Sequence, residues 1–71
     1  MINTNLLKGK IMAAGYTQES LAREMGISKN TMSAKVNGKS LYVDEAEKMC
    51  YILGINEPYE RAQIFLGVPS Q

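Results

Sequence analysis

The chain has no histidine, no tryptophan, two prolines and one cysteine, Cys50, in 71 residues. Each shortage removes a class of chemistry. Without histidine, neither a Ser–His nor a Cys–His nucleophile and base can be assembled. One Cys and no His leave too few ligands for a zinc site, and no intrachain disulfide can form. A lone thiol suits a reducing compartment. No apolar run approaches the roughly 20 residues that cross a bilayer. The opening MINTNLLKGK has no signal-peptide hydrophobic region, so the expectation is a cytoplasmic protein with no membrane partner. No general base with a partner and no cofactor motif is visible. Neither an enzyme, nor a cofactor, nor a small-molecule ligand is expected.

Net charge is only +1, but it is unevenly spread. Residues 1–43 carry Lys8, Lys10, Arg23, Lys29, Lys35 and Lys39 against Glu19 and Glu24, a balance of +4. Residues 44–71 carry Lys48 and Arg61 against Asp44, Glu45, Glu47, Glu57 and Glu60, a balance of −3. A basic half beside an acidic half offers a face to an anionic partner.

No segment alternates apolar and polar residues as a strand would, so the pattern predicts an all-α domain spanning residues 1–71. Five short helices are expected. The first runs from about Asn5 to Ala14, with Leu7 and Ile11 one turn apart. Thr17 caps the second, whose apolar stripe is Leu21, Ala22 and Met25. Ser28 caps the third, which runs to about Asn37. The fourth spans about Val43 to Leu53, with Val43, Ala46, Met49, Cys50 and Leu53 on one face. The fifth spans about Glu57 to Leu66, with Asn56 as cap, Pro58 in the first turn, and Ala62, Phe65 and Leu66 inward. The tyrosines fall at helix ends, where they are expected to anchor the edge of the core. Cys50 is expected to be a small buried hydrophobe.

Gly26 interrupts what would otherwise be one helical run. Glycine accepts positive φ, so the chain can turn within about three residues. Ala22 is small enough to let the following helix cross closely. Two short helices joined through such a corner form a helix-turn-helix over residues 17–37. On the third helix Met32 and Val36 face the core. Asn30, Ser33, Ala34 and Asn37 lie broadly opposite, with Lys29 at the edge. That outer face is short, polar and free of acids. Asn pairs with adenine edges, Ser bonds several bases, and Lys reaches guanine or phosphate. Lys35 and Lys39 flank the helix as candidate phosphate contacts. Gln18 stands at the start of the second helix, where free N–H groups favour a phosphate.

The segment AGYTQESLAREMGISKNTMSAKVNGKS resembles the helix-turn-helix of the phage repressor and Cro family, also called the XRE family. That family's run T-Q-x-x-L-A-x-x-x-G-I-S-x-x-T is matched by Thr17, Gln18, Leu21, Ala22, Gly26, Ile27, Ser28 and Thr31. Its N-G-K ending is matched by Asn37, Gly38 and Lys39. The resemblance implies a five-helix, lambda-repressor-like fold and a sequence-specific, double-stranded-DNA-binding transcriptional regulator of phage or prophage type. By the same carry-over, Ser28, Lys29, Asn30, Ser33, Ala34 and Asn37 enter the groove, and Gln18 touches the backbone or a base edge. The chain departs from the family pattern in one place: Lys35 stands where an aliphatic residue is usual, and Val36 follows it.

Family members commonly bind as dimers. The candidate interface for a homodimer is the fifth helix and tail, with Tyr59, Ile64, Phe65, Val68 and Pro69. The alternative is a protein-interaction module, or an antagonist of another regulator, built on the same fold. The low overall charge and the acidic fourth and fifth helices keep that alternative open, and it would bind no DNA.

Overall fold

In the computed structural model, which describes residues 1–69, the chain forms five α-helices and, among those residues, no strand. They are α1 (Thr4–Ala13), α2 (Gln18–Met25), α3 (Lys29–Val36), α4 (Val43–Leu53) and α5 (Pro58–Phe65). The fold is an all-α helix-turn-helix fold.

Local chemistry sets the helix boundaries. Asn3 begins α1 by accepting the Leu6 N–H at 3.1 Å. Thr17 and Ser20 cap α2 reciprocally. The Thr17 hydroxyl oxygen accepts the Ser20 N–H at 3.0 Å, and the Ser20 hydroxyl oxygen accepts the Thr17 N–H at 2.9 Å. Gly26 ends α2 at φ 72°, and the next N–H, that of Ile27, reaches back to the Ala22 carbonyl at 3.0 Å. This left-handed end is the corner from which α3 departs. Ile55 repeats the arrangement after Gly54, with its N–H 2.8 Å from the Cys50 carbonyl. The cap of α5 is Glu57, not Asn56. Its carboxylate accepts the Glu60 N–H at 2.8 Å. Pro58 takes the first helical position, so the residue before it must be the cap.

Ten buried residues form the core: Leu7 and Ile11 from α1, Leu21 and Ala22 from α2, Met32 and Val36 from α3, Met49 and Cys50 from α4, Ile55, and Ile64 from α5. Each fully buried Leu, Ile or Met contributes about 1.5–3 kcal/mol. Every helix supplies at least one such side chain to this core. Helices α2 and α3 pack on each other, and α1 braces both α3 and α5. A Lys10–Glu60 ion pair joins α1 to α5 at the surface.

Three apolar side chains lie differently from what the periodicity suggested. Val43, at the first position of α4, is 78% exposed, and Leu66 just beyond α5 is 70% exposed. Ile64, expected on an interface, is fully buried. Three consecutive apolar residues, Ile64, Phe65 and Leu66, sweep about 200° of a helix, so one must point away from the core. The tyrosines also divide. Tyr16 packs on the core, while Tyr42, Tyr51 and Tyr59 are exposed.

Candidate nucleic-acid interface

The outer face of α3 and the first turn of α2 carry most of the residues singled out by sequence. Lys29 and Asn30, in the first turn of α3, are exposed, and Ser33 and Ala34 one turn later are half-buried. Lys39 is exposed in the turn after α3. Helix α3 contains no acidic residue. Gln18 is the first residue of α2 and is half-buried. The N–H groups of Gln18 and Glu19 lie in the first turn, where a helix supplies no acceptor of its own.

Two of the polar side chains are already engaged locally. Ser28 caps α3: its hydroxyl oxygen accepts the Thr31 N–H at 3.1 Å and the hydroxyl donates to Thr31 Oγ1 at 2.8 Å. Its proton is therefore committed within the helix, and one acceptor lone pair remains. Asn37 is the C-cap of α3, and its amide donates to the Ser33 carbonyl at 3.0 Å. One N–H and the amide oxygen of Asn37 remain for a partner.

Lys35 does not belong to the exposed face. It is 7% exposed, and its ammonium donates to the Ser40 carbonyl at 2.8 Å and to Glu45 Oε1 at 2.9 Å. The Tyr42 ring centroid lies 5.2 Å away. The expectation of a flanking phosphate contact is corrected on this point: the stem fills the place of a core aliphatic and the charge is spent internally. Glu45 is the residue that sequence reasoning missed. Its carboxyl is held below the usual carboxylate range, first by the Tyr42 backbone N–H and then by the Lys35 ammonium.

Lys8 is a second residue that the sequence did not single out. With Ile11, Met12, Tyr16, Thr17 and Gln18 it lines a hollow of about 310 Å³ beside the start of α2. The only sequence signal for it is membership of the basic half. A further hollow, about 340 Å³, lies on α4 and α5. Val43, Ala46, Glu47, Cys50, Pro58, Arg61, Ala62, Phe65 and Leu66 line it, and it explains where the exposed Val43 and Leu66 sit. Burial raises the Cys50 thiol pKa above its ordinary value, so the thiol is protonated and a poor nucleophile near neutral pH. Among the described residues no group of three His, Cys, Asp or Glu side chains could hold a metal ion. No helix among them is long and apolar enough to cross a membrane.

A short α2, a glycine corner and α3 with an exposed, acid-free polar face form a helix-turn-helix. The family model for the Cro/C1-type HTH DNA-binding domain matches residues 7–59, from the core of α1 to the first turn of α5. The chain belongs to this family. It is a DNA-binding helix-turn-helix protein of the Cro/C1 type. No curated protein and no solved structure matches the chain.

Proposed function

We propose that this Cro/C1-type protein is a sequence-reading transcriptional regulator that lays α3 in the major groove of duplex DNA. The observation that carries the reading is the exposed, acid-free first turn of α3, where Lys29 and Asn30 project from a helix whose opposite face, Met32 and Val36, is fully buried. Lys29 and Asn30 are the base readers, with Ser33 beside them and Ala34 available for a thymine methyl. Gln18 and Lys39 hold the backbone on either side. Ser28 contributes one acceptor, because its proton is engaged in capping, and Asn37 contributes its amide oxygen and one N–H. Catalysis has no part in this reading.

We further propose that the protein binds as a homodimer through α4 and α5. Ile64 is removed from the candidate interface by its burial. The apolar hollow edged by Val43, Phe65 and Leu66 takes its place. Glu47 and Arg61 both line that hollow, so a two-fold interface there can pair the acid of one copy with the base of the other. A dimer of this kind predicts a palindromic site with half-sites about 34–36 Å apart, or a multiple of that spacing.

The same hollow supports the second reading, an interaction module that docks another regulator and reads no DNA. Selection of random duplex DNA on the purified protein separates the two. Enrichment of a short motif, with affinity falling steeply as salt rises, is the expected result. Asn30→Ala should then lower the preference at one position by roughly 1–3 kcal/mol. No enrichment and no salt-sensitive binding would leave the interaction module.

A further inference from the structure

The backbone of the loop between α3 and α4 is held at both ends. The Lys39 N–H donates to the Ala34 carbonyl at 2.9 Å, which ties the start of the loop to α3. Ser40, the next residue, sits at φ 55°, the single non-glycine residue in the left-handed region among those described. A serine stays there only where its surroundings fix it. The fixing group is the buried ammonium of Lys35, 2.8 Å from the Ser40 carbonyl. That ammonium also meets Glu45 Oε1 at 2.9 Å, and the same carboxylate oxygen accepts the Tyr42 N–H at 3.0 Å. One ammonium and one carboxylate oxygen thus bracket residues 40–42 and join the last turn of α3 to the first turn of α4.

A buried ion pair is a poor way to gain stability. Replacing both partners of such a pair by well-packed apolar side chains is often neutral or better. The stem of Lys35 would be replaced well by methionine. What methionine cannot do is donate to the Ser40 carbonyl and to Glu45. The pair therefore fixes the path of the loop at Ser40, and the exposed Lys39 stands one position before it.

We propose that Lys35 is a positioning residue: through Ser40 and Glu45 it presents the Lys39 ammonium to the DNA backbone, while touching no DNA itself. This rests on the reading of the protein as a duplex binder with Lys39 on a phosphate. Each phosphate neutralised contributes about 0.9 to the slope of log affinity against log salt concentration. Misplacing the Lys39 ammonium should therefore flatten that slope about as much as deleting it.

The experiment measures binding to a labelled mixed-sequence duplex of about 20 base pairs between about 50 and 200 mM salt, a range over which one neutralised phosphate changes affinity about threefold to fourfold. Wild type, Lys39→Ala, Lys35→Met and the double variant are compared at a temperature where circular dichroism shows all four folded. Lys39→Ala should lower the slope by about one unit. Lys35→Met should lower it by a similar amount, and the double variant should fall no further. An unchanged slope in Lys35→Met overturns the proposal. So does an additive fall in the double variant, which would make Lys35 a direct phosphate ligand. If Lys35→Met does not fold, Glu45→Gln replaces it. A slope lowered in the same direction supports the clamp, and an unchanged one overturns it. A wild type whose binding ignores salt would instead overturn the duplex-binding reading, and the clamp with it.

Discussion

The hydroxyl of Thr4 donates to the carbonyl of Val36 at 3.2 Å, across 32 residues of sequence. Thr4 is the first residue of α1, and Val36 is the last of α3. The last four carbonyls of a helix have no partner within it, so the start of α1 satisfies the end of the helix proposed to read DNA. Thr4→Val keeps the shape and removes the donor. It should cost about 1 kcal/mol, the net worth of a hydrogen bond of this kind. Urea unfolding checks it: the midpoint should fall with the slope unchanged.

Gly26 and Gly38 both have positive φ, 72° and 87°, but their surroundings differ. A Cβ at Gly26 would meet open space, whereas one at Gly38 would lie 2.5 Å from Ile2 Cγ2. Gly26→Ala should therefore cost only the left-handed strain, about 1–2 kcal/mol. Gly38→Ala should cost that and the displacement of Ile2 from the exit of α3. In a double-mutant cycle, Ile2→Ala should recover part of the loss at Gly38 and none at Gly26. Equal losses at the two glycines would mean that Ile2 yields freely.

Glu45 sets a pH dependence with a definite sign. Its folded-state pKa is depressed, chiefly by the Tyr42 N–H and then by Lys35. The unfolded chain thus takes up the proton first as pH falls. The stabilisation from Glu45 is fully present above the ordinary carboxylate value, about 4.3. It is lost as pH drops from there through the lower folded value. Glu45→Gln should flatten part of the stability profile in that acid window and change its shape little above pH of about 6. Thermal unfolding followed by circular dichroism from neutral to acid pH reads this. A Gln variant as acid-sensitive as wild type would place the dependence on other carboxylates.

What the sequence made legible was the chemistry that acts within one turn. Thr17 and Ser28 were readable as caps and Gly26 as a corner, because each acts on backbone three or four residues away. Met32 and Val36 were readable as the inner face of α3 for the same reason. The Lys35–Glu45 pair was not readable. Its partners are ten residues apart across a loop, and a lysine between two helices reads as surface until the distant acid is placed. The Thr4–Val36 bond was hidden by the same separation. Leu66 and Ile64 were exchanged because an eight-residue helix, α5, offers too few turns for periodicity to fix which of three adjacent apolar residues faces out.

That exchange makes the proposed dimer testable without disturbing the fold. Leu66 and Val43 are 70% and 78% exposed, yet both line the same apolar hollow on α4 and α5. A charge at either position meets water in the monomer and an apolar surface in the dimer. Surface substitutions of this kind usually shift stability by no more than about 0.5 kcal/mol, whereas burying an unpaired charge in an interface costs several kcal/mol. Leu66→Glu should therefore leave the melting curve of the monomer almost unchanged and abolish association. Sedimentation at micromolar concentration is the direct measurement, with wild type expected as a dimer and the variant as a monomer. Phe65→Ala is the wrong probe, because Phe65 also packs on the core and its loss would confound folding with assembly. If wild type and Leu66→Glu sediment alike as monomers, with duplex DNA present or absent, the hollow is not a self-association surface. The palindromic spacing expected of the binding site would go with it, and the α4–α5 face would be left for a different protein.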